Sequence, residues 1–64
     1  MKYSELKKLL RRNGCYLENE GANHEIWLST VNGKTFPVGR HNNADVPKGI
    51  FNAIIKQSGI KEKI

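Results

Sequence analysis

The sequence contains one cysteine and no long apolar run. Cys15 has no partner for an internal disulfide, and small domains outside the cell usually carry several such bonds. The longest aliphatic stretch covers residues 53–55, far short of the roughly 20 residues that a transmembrane helix needs, and the start of the chain is charged from Lys2. These absences predict a cytoplasmic protein without a membrane partner.

Potential metal ligands and phosphate-binding loops are also scarce. Cys15, His24 and His41 lie too far apart for any usual ligand spacing, and no glycine-rich phosphate loop is present. A chain of 64 residues folds as one small domain, here residues 1–64, and buries only about 60% of the surface that its unfolded form exposes. We therefore expect no metal, no cofactor, and a functional site at or near the surface.

The sequence is rich in positive charge. Eleven Lys and Arg residues against six Asp and Glu residues give a formal net charge of +5, which favours a polyanionic partner: nucleic acid, an acidic protein or, less well supported, an anionic membrane. A solvated helix face is the ordinary explanation of a basic sector, but the net charge favours binding. The basic residues of the first periodic segment share a sector of roughly 140° opposite its leucines: Lys7, Lys8, Arg11 and Arg12.

Two helices are predicted, one near each end of the chain. Apolar residues spaced by three and four predict the first helix over residues 3–14, with Ser4 as its cap and Gly14 as its stop. Its apolar stripe consists of Tyr3, Leu6, Leu9 and Leu10. The second helix follows Asp45, a candidate cap, and stops at Gly59. Residues 61–64 are expected to fray. The other features of the second helix are Pro47 in the first turn, a buried stripe of Ile50, Phe51, Ile54 and Ile55, and Ile60 folded back on the last turn.

Between the helices the pattern changes to strand-like runs over residues 15–17, 26–31 and 34–38. Asn32-Gly33 predicts a two-residue type I′ hairpin. The predicted fold is α+β, a three-stranded antiparallel sheet with both helices on one face. Pro37 cannot donate to a ladder and indicates an edge strand or a bulge. The hairpin register pairs Val31 with Lys34, Ser29 with Phe36 and Trp27 with Val38, and it places Trp27, Val31, Phe36 and Val38 on the covered face.

His24 is the candidate residue for chemistry. By strand parity it lies with Ile26 and Leu28 on the face opposite the aromatic cluster, where it meets solvent. A free imidazole has a pKa near 6.5 and exchanges protons at neutral pH, as general acid–base catalysis requires, although a histidine at a strand start is more often only a solvated polar residue. Nearby carboxylates oppose a positive potential there: Glu18, Glu20 and Glu25, the last of which is expected to face away.

Several short motifs resemble the HicA (YcfA-like) toxins of bacterial toxin–antitoxin pairs. They are Ser4-Glu5-Leu6 in the first helix, Gly21-Ala22-Asn23-His24 before Glu25-Ile26-Trp27-Leu28, and Pro47-Lys48-Gly49-Ile50 through Ile54-Ile55-Lys56-Gln57-Ser58-Gly59-Ile60. The resemblance spans about the whole chain and implies an α-β-β-β-α fold like that of double-stranded-RNA-binding domains. Two departures are Ala22, where many members have Ser or Thr, and the wider separation of Pro37 from His41, which leaves His41 without an implied role.

The resemblance implies an mRNA interferase, a metal-independent endoribonuclease that is silenced by a cognate HicB antitoxin, with His24 as its catalytic histidine. RNA carries its own nucleophile, the 2′-hydroxyl, so a general base and phosphate-binding cations are the essential parts. A non-catalytic double-stranded-RNA-binding module is the alternative, because basic helices suit A-form RNA equally well. The candidates for contact with single-stranded RNA are Lys7, Lys8, Arg11, Arg12, Lys34, Arg40 and Lys48, and those for contact with the antitoxin are Asn23, His24, Ile26 and Leu28.

Overall fold

The first helix, α1 (Tyr3–Arg12), forms where its apolar spacing predicts it and ends two residues earlier. The computed structural model describes residues 1–21 and 23–60, so the prediction for residues 61–64 lies outside the described residues. Leu6 and Leu10 are fully buried on one side of α1. Gly14, with φ of +87°, follows the helix and turns the chain into the sheet, in a conformation that favours glycine.

The predicted N-cap of α1 is wrong. Lys2, not Ser4, is the N-cap residue, and its backbone N–H donates to Glu5 Oε1 at 3.0 Å. The backbone N–H of Ser4 itself donates to the carbonyl of Asn42 at 3.1 Å. The loop after the sheet therefore supplies an acceptor to the first helical turn, which a capping hydroxyl would otherwise provide.

Three strands form an antiparallel sheet in the order β1 (Cys15–Glu20), β2 (His24–Ser29) and β3 (Thr35–Gly39). The strand β2 is central, and Pro37 lies in the edge strand β3, as predicted. The register of β1 against β2 shifts between Leu17 and Asn19, which marks a bulge at Glu18. This order, with the two helices, gives the α-β-β-β-α arrangement of the double-stranded-RNA-binding-like fold.

The β2–β3 connection differs from the predicted hairpin. Trp27 pairs with Phe36 rather than with Val38, and four residues, 30–33, connect Ser29 to Lys34. No non-glycine residue among those described has positive φ, which excludes the type I′ turn at Asn32.

Hydrogen bonds to other elements decide this connection. Thr30 donates to the carbonyl of Gly14 through both its backbone N–H and its hydroxyl, and Asn32 Nδ2 donates to the carbonyl of Gln57. The pairing of β2 with β3 differs from the predicted pairing by two residues, so each face of the sheet keeps the residues predicted for it. The exception is Val31, which lies in the loop and is 57% exposed.

The second helix, α2 (Lys48–Ser58), begins after Pro47, which is its N-cap residue. Asp45 is therefore not the cap; it forms an ion pair with Lys2 at 3.3 Å. Gly59 ends α2 with φ of +73°, and Ile60 is buried, as predicted. Ile54 is buried, whereas Ile50, predicted in the same stripe, is 46% exposed.

One core joins both helices to the same face of the sheet. Ile50 lies outside this core, whereas Val46 and Phe51 pack against it near the start of α2. No helix within residues 1–21 and 23–60 is long and apolar enough to span a membrane. The core consists of Leu6, Leu10, Cys15, Trp27, Phe36, Val38, Ile54 and Ile60.

Candidate functional site

His24 is the first residue of β2, and its side chain is exposed. Its partner in β3 is Gly39, and on the other side the backbone N–H of Gly21 donates to the His24 carbonyl at 2.8 Å. A Cβ at position 21 would lie 2.9 Å from that carbonyl oxygen, so only glycine fits without a backbone shift. Both residues across from His24 are thus glycines, and neither places a side chain beside the imidazole.

The carboxylates nearest to His24 in sequence turn to the other face of the sheet. Glu25 faces α1, where its Oε1 lies 3.0 Å from Lys7 Nζ and accepts a hydrogen bond from Trp27 Nε1 at 3.0 Å. Glu20 pairs with Glu25 across β1 and β2 and therefore shares its face. The prediction that Glu25 faces away is confirmed, and the open face around His24 carries less negative charge than the sequence suggested.

The environment of Glu25 favours its charged form. Burial raises the pKa of this carboxyl, but hydrogen bonds from Trp27 and Lys7 outweigh it, together with the positive charges of Lys7 and Arg11. The net result is a pKa below the ordinary value of a glutamate. Glu25 is therefore the anion of a buried ion pair at neutral pH.

Lys7 does not belong to the exposed basic sector in which the sequence analysis placed it. Its side chain is 5% exposed, and besides Glu25 it donates to Asn42 Oδ1. On a helical wheel Lys7 stands about 40° from Tyr3, at the border of the apolar stripe. Because Glu25 in β2 lies below that border, the lysine turns inward and leaves the surface. Lys8, Arg11 and Arg12 remain exposed, with the Arg11 guanidinium 5.1 Å from the centre of the Trp27 ring.

Arg40 and Tyr3 contact the two glycines that flank His24. Arg40 follows Gly39, and its Nη1 lies 3.4 Å from the Gly21 carbonyl oxygen, so the guanidinium spans the end of β2. Tyr3 Oη lies 3.3 Å from the point where a Cβ of residue 39 would stand. Paired residues hold their Cβ atoms at most about 5.5 Å apart, so the phenol lies within about 9 Å of the His24 Cβ.

Sequence reasoning placed Tyr3 only in the apolar stripe of α1. Its ring does pack against the core, but its hydroxyl end reaches Gly39. No sequence signal distinguishes this role, because it depends on the close approach of α1 to a glycine in a distant strand. His41, one residue beyond Arg40, is exposed, and its carbonyl accepts the N–H of Ala44.

The other predicted RNA contacts lie apart from His24. Lys34 is paired with Ser29 at the far end of β2, five residues from His24, or about 17 Å at 3.3 to 3.4 Å per residue. It therefore cannot hold the same phosphate as His24. Lys48 is exposed at the start of α2, where it borders a shallow apolar pocket with Met1, Val46 and Phe51.

Two of the predicted antitoxin contacts, Ile26 and Leu28, share the open face of the sheet with His24. Asn23 is exposed, and Ile26 and Leu28 are half-buried on the side away from the helices. Leu28 pairs with Tyr16, which is 47% exposed and extends the apolar part of this face. Within residues 1–21 and 23–60, no group of three or more His, Cys, Asp or Glu residues has the geometry to hold a metal ion.

The chain is similar to known proteins of one family. Residues 3–60 match the family model described as the HicA toxin of bacterial toxin–antitoxin systems. The chain belongs to the HicA toxin family. It is 36% identical over 62 residues to a protein of Photorhabdus laumondii subsp. laumondii named probable mRNA interferase HicA 2, covering 95% of this chain and 100% of that relative. No solved structure gives a significant match.

Family membership makes this chain a toxin of a toxin–antitoxin pair. The matched segment includes both helices, all three strands and His24, so the described fold and the candidate site lie inside the region that the HicA family shares. Met1 and Lys2 precede the matched segment.

Proposed function

We propose that this HicA toxin is an endoribonuclease that cleaves messenger RNA without a metal ion, with His24 as the general base. The observation that carries the proposal is the setting of His24: an exposed imidazole flanked by Gly21 and Gly39, with the Arg40 guanidinium on the carbonyl of Gly21. The name of the Photorhabdus relative supports the choice of mRNA as the substrate.

The reaction needs little more than a base and hydrogen-bond donors. His24 removes the proton of a ribose 2′-hydroxyl, and the resulting oxygen attacks the adjacent phosphorus. The bond from phosphorus to the 5′-oxygen breaks, and that oxygen takes up a proton. The products are a 2′,3′-cyclic phosphate and a 5′-hydroxyl, so water is not consumed in this step.

Arg40 and Tyr3 are positioned to stabilise the phosphate while charge builds on its oxygens. A guanidinium binds phosphate oxygens through a planar pair of N–H donors. Arg40 Nη1 lies 3.4 Å from the carbonyl oxygen of Gly21, whose own N–H donates to the His24 carbonyl. The phenol of Tyr3 supplies a neutral donor within about 9 Å of the His24 Cβ, a span that a ribose phosphate fills. Donors fixed before the reaction are the main source of such stabilisation.

The partner is a HicB-like antitoxin that covers the open face of the sheet. Ile26 and Leu28 provide half-buried apolar surface next to His24 and Asn23, and aliphatic surface of this kind slows dissociation when it is fully buried. An acidic partner would meet the basic surface rapidly. Inhibition is then competitive, since RNA and the antitoxin bind the same surface around His24.

Cleavage of a single-stranded message in a buffer with excess EDTA tests the catalytic proposal. The wild type should yield 2′,3′-cyclic phosphate ends, and His24→Gln should lower the rate about 10²- to 10⁴-fold without changing the melting temperature. His41→Gln is the matched control and should cleave at the wild-type rate. An intact RNA that is nevertheless shifted on a gel would identify the double-stranded-RNA-binding module instead.

Competition tests the partner proposal separately. With an RNA that carries a 2′-deoxy sugar at the cleaved position, rising RNA should weaken binding of the antitoxin. The complex should also protect the amides of residues 23–28 from hydrogen exchange. A ternary complex of undiminished affinity would refute competition at His24.

A further inference from the structure

A second group of basic side chains lies at the opposite end of β2 from His24. The four-residue β2–β3 connection meets the last turn of α2 there and leaves a polar depression between them. The depression is lined by Asn32, Lys34, Thr35, Lys56 and Gln57. Both lysines are exposed, and Lys56 was not among the residues that the sequence analysis selected.

Asn32 fixes the two lysines relative to each other. Its Oδ1 accepts the backbone N–H of Lys34 at 3.0 Å, and its Nδ2 donates to the carbonyl of Gln57, the neighbour of Lys56, at 2.8 Å. One side chain thus links both walls of the depression. Gly59 makes this approach possible, since a Cβ there would lie 3.0 Å from Asn32 Nδ2.

The C-terminal end of a helix normally repels an anion, because its last four carbonyls have no donors within the helix. In α2 all four have donors. Ser58 Oγ donates to the Ile55 carbonyl, and the Gly59 N–H donates to that of Lys56. The carbonyls of Gln57 and Ser58 accept from Asn32 Nδ2 and Ser29 Oγ. The negative end of the helix dipole is therefore largely satisfied beneath the two lysines.

No carboxylate neutralises these lysines in the described part of the chain. The two ion pairs there join Lys2 to Asp45 and Lys7 to Glu25. Lys34 and Lys56 lie beside the hydroxyl of Thr35 and the amide of Gln57, both of which can donate hydrogen bonds. Two ammonium groups with neutral donors between fixed walls suit a phosphate group.

We propose that this depression binds a backbone phosphate of the RNA at a distance from the cleaved bond. The inference rests on the proposed function, because a substrate strand held by His24 supplies the second phosphate. Lys34 lies about 17 Å from His24 along β2, so the two sites engage different nucleotides of one strand. Lys34 is opposite Ser29, whose side chain faces α2, so Lys34 lies on the helix-covered side of the sheet. An RNA strand bound at His24 would therefore have to pass the free edge of β3 to reach Lys34.

Substrate length separates this subsite from the catalytic one. A dinucleoside monophosphate carries only the scissile phosphate, whereas a dodecamer also reaches the depression. For Lys34→Gln/Lys56→Gln, we expect a several-fold higher KM on the dodecamer with kcat unchanged, and unchanged constants on the dinucleotide. Lys34→Arg/Lys56→Arg keeps both charges and should restore most of the dodecamer affinity. Equal effects on both substrates, or no effect on the dodecamer, would overturn the inference.

Binding measurements keep the inference testable if cleavage itself fails. In the His24→Gln background, the Lys34 and Lys56 substitutions leave one phosphate of the dodecamer without its cations. The slope of log K against log salt should therefore fall in magnitude by about 0.7. An unchanged slope overturns the subsite whether or not the wild type cleaves. A double variant that loses affinity for the antitoxin but not for RNA would assign the depression to the protein partner instead.

Discussion

The two ends of the β-sheet are held by different kinds of interaction. At the His24 end, a buried ion pair between Lys7 and Glu25 joins α1 to β2, and Asn42 adds the loop after β3. The opposite end of the sheet, where residues 30–33 connect β2 to β3, is called the hairpin end here. There, neutral side chains donate to backbone carbonyls: Ser29 to that of Ser58 and Asn32 to that of Gln57. The comparison indicates that charge is largely buried under His24, while at the far end of the sheet it stays exposed on Lys34 and Lys56.

The largest expected effect comes from breaking the ion pair under His24. Lys7→Met leaves the Glu25 carboxylate, 14% exposed, without its ion-pair partner, while the Trp27 hydrogen bond and the charge of Arg11 remain. The free energy of unfolding should fall by about 3 kcal/mol, the lower end of the range for a broken buried pair. Urea denaturation followed by Trp27 fluorescence measures this decrease. Lys8→Met, at the exposed neighbouring position, should change the free energy by no more than about 0.5 kcal/mol.

The double variant Lys7→Met/Glu25→Leu distinguishes a missing pair from an uncompensated charge. Removal of both charges should recover most of the stability that Lys7→Met loses, since apolar replacement of a buried pair is often neutral. If the double variant is as unstable as Lys7→Met, the hydrogen bonds to neutral partners that it also removes are the stabilising ones: Lys7 to Asn42 and Trp27 Nε1 to Glu25.

At the hairpin end the corresponding change is smaller. Ser29 is fully buried, donates through Oγ to the Ser58 carbonyl and accepts the Val31 N–H at 3.1 Å. Ser29→Ala leaves both groups without this partner and should cost about 1–3 kcal/mol of unfolding free energy. The cleavage rate of the folded protein should not change, because His24 lies at the other end of β2. Loss of activity without loss of stability would show that the two ends are coupled.

Ser4→Ala is a matched control for Ser29→Ala and also tests the corrected helix start. A serine that caps α1 would lose about 1 kcal/mol on replacement by alanine. Because Lys2 is the N-cap residue and Asn42 supplies the acceptor for the Ser4 N–H, the expected change is within about 0.5 kcal/mol. A decrease as large as that of Ser29→Ala would restore Ser4 as a cap.

Much of the fold follows from local sequence, because periodicity and turn residues act within a few positions. The element order, the buried Trp27 and Phe36, and the edge position of Pro37 were all predictable in this way. The register of β2 against β3 was not predictable. Asn32 donates to Gln57 in α2 and Thr30 donates to Gly14, so both side chains donate outside their own turn. A two-residue shift preserves parity, so the wrong register still placed His24 on the correct face.

The candidate site was predictable only in part. His24 could be selected from its motif, and family resemblance gave it a role that remains a prediction. Lys7 could not be separated from Lys8, because burial depends on Glu25 in a strand distant in sequence. The roles proposed for Tyr3 and Lys56 could not be predicted for the same reason: they depend on Gly39 and Asn32, which lie near them only after folding.

Acid should weaken the His24 end more than the hairpin end. The pKa of Glu25 is lower in the folded protein than its ordinary value, so its contribution to stability is complete above that ordinary value and is lost as the pH falls through the lowered one. Glu25→Gln should therefore flatten the acid limb of the free energy of unfolding against pH, whereas Ser29→Ala should shift the curve without changing its slope. An acid limb unchanged in Glu25→Gln would mean that other carboxylates dominate.

The smallest expected effect concerns the exposed face of α1. Substitutions there test whether its basic residues contact RNA or are only solvated. Lys8 and Arg12 are exposed and carry no ion pair among the described residues, whereas Arg11 already stacks on Trp27. If the helix lies on RNA, Lys8→Gln/Arg12→Gln should reduce the salt slope of binding by about 0.7 for each phosphate of a single strand that these side chains neutralise. Lys7 is buried and should add nothing to this slope in any variant that remains folded. An unchanged slope in the Lys8 and Arg12 variant would assign phosphate binding to Arg40 near His24 and to the Lys34 and Lys56 depression, and leave α1 as a solvated helix.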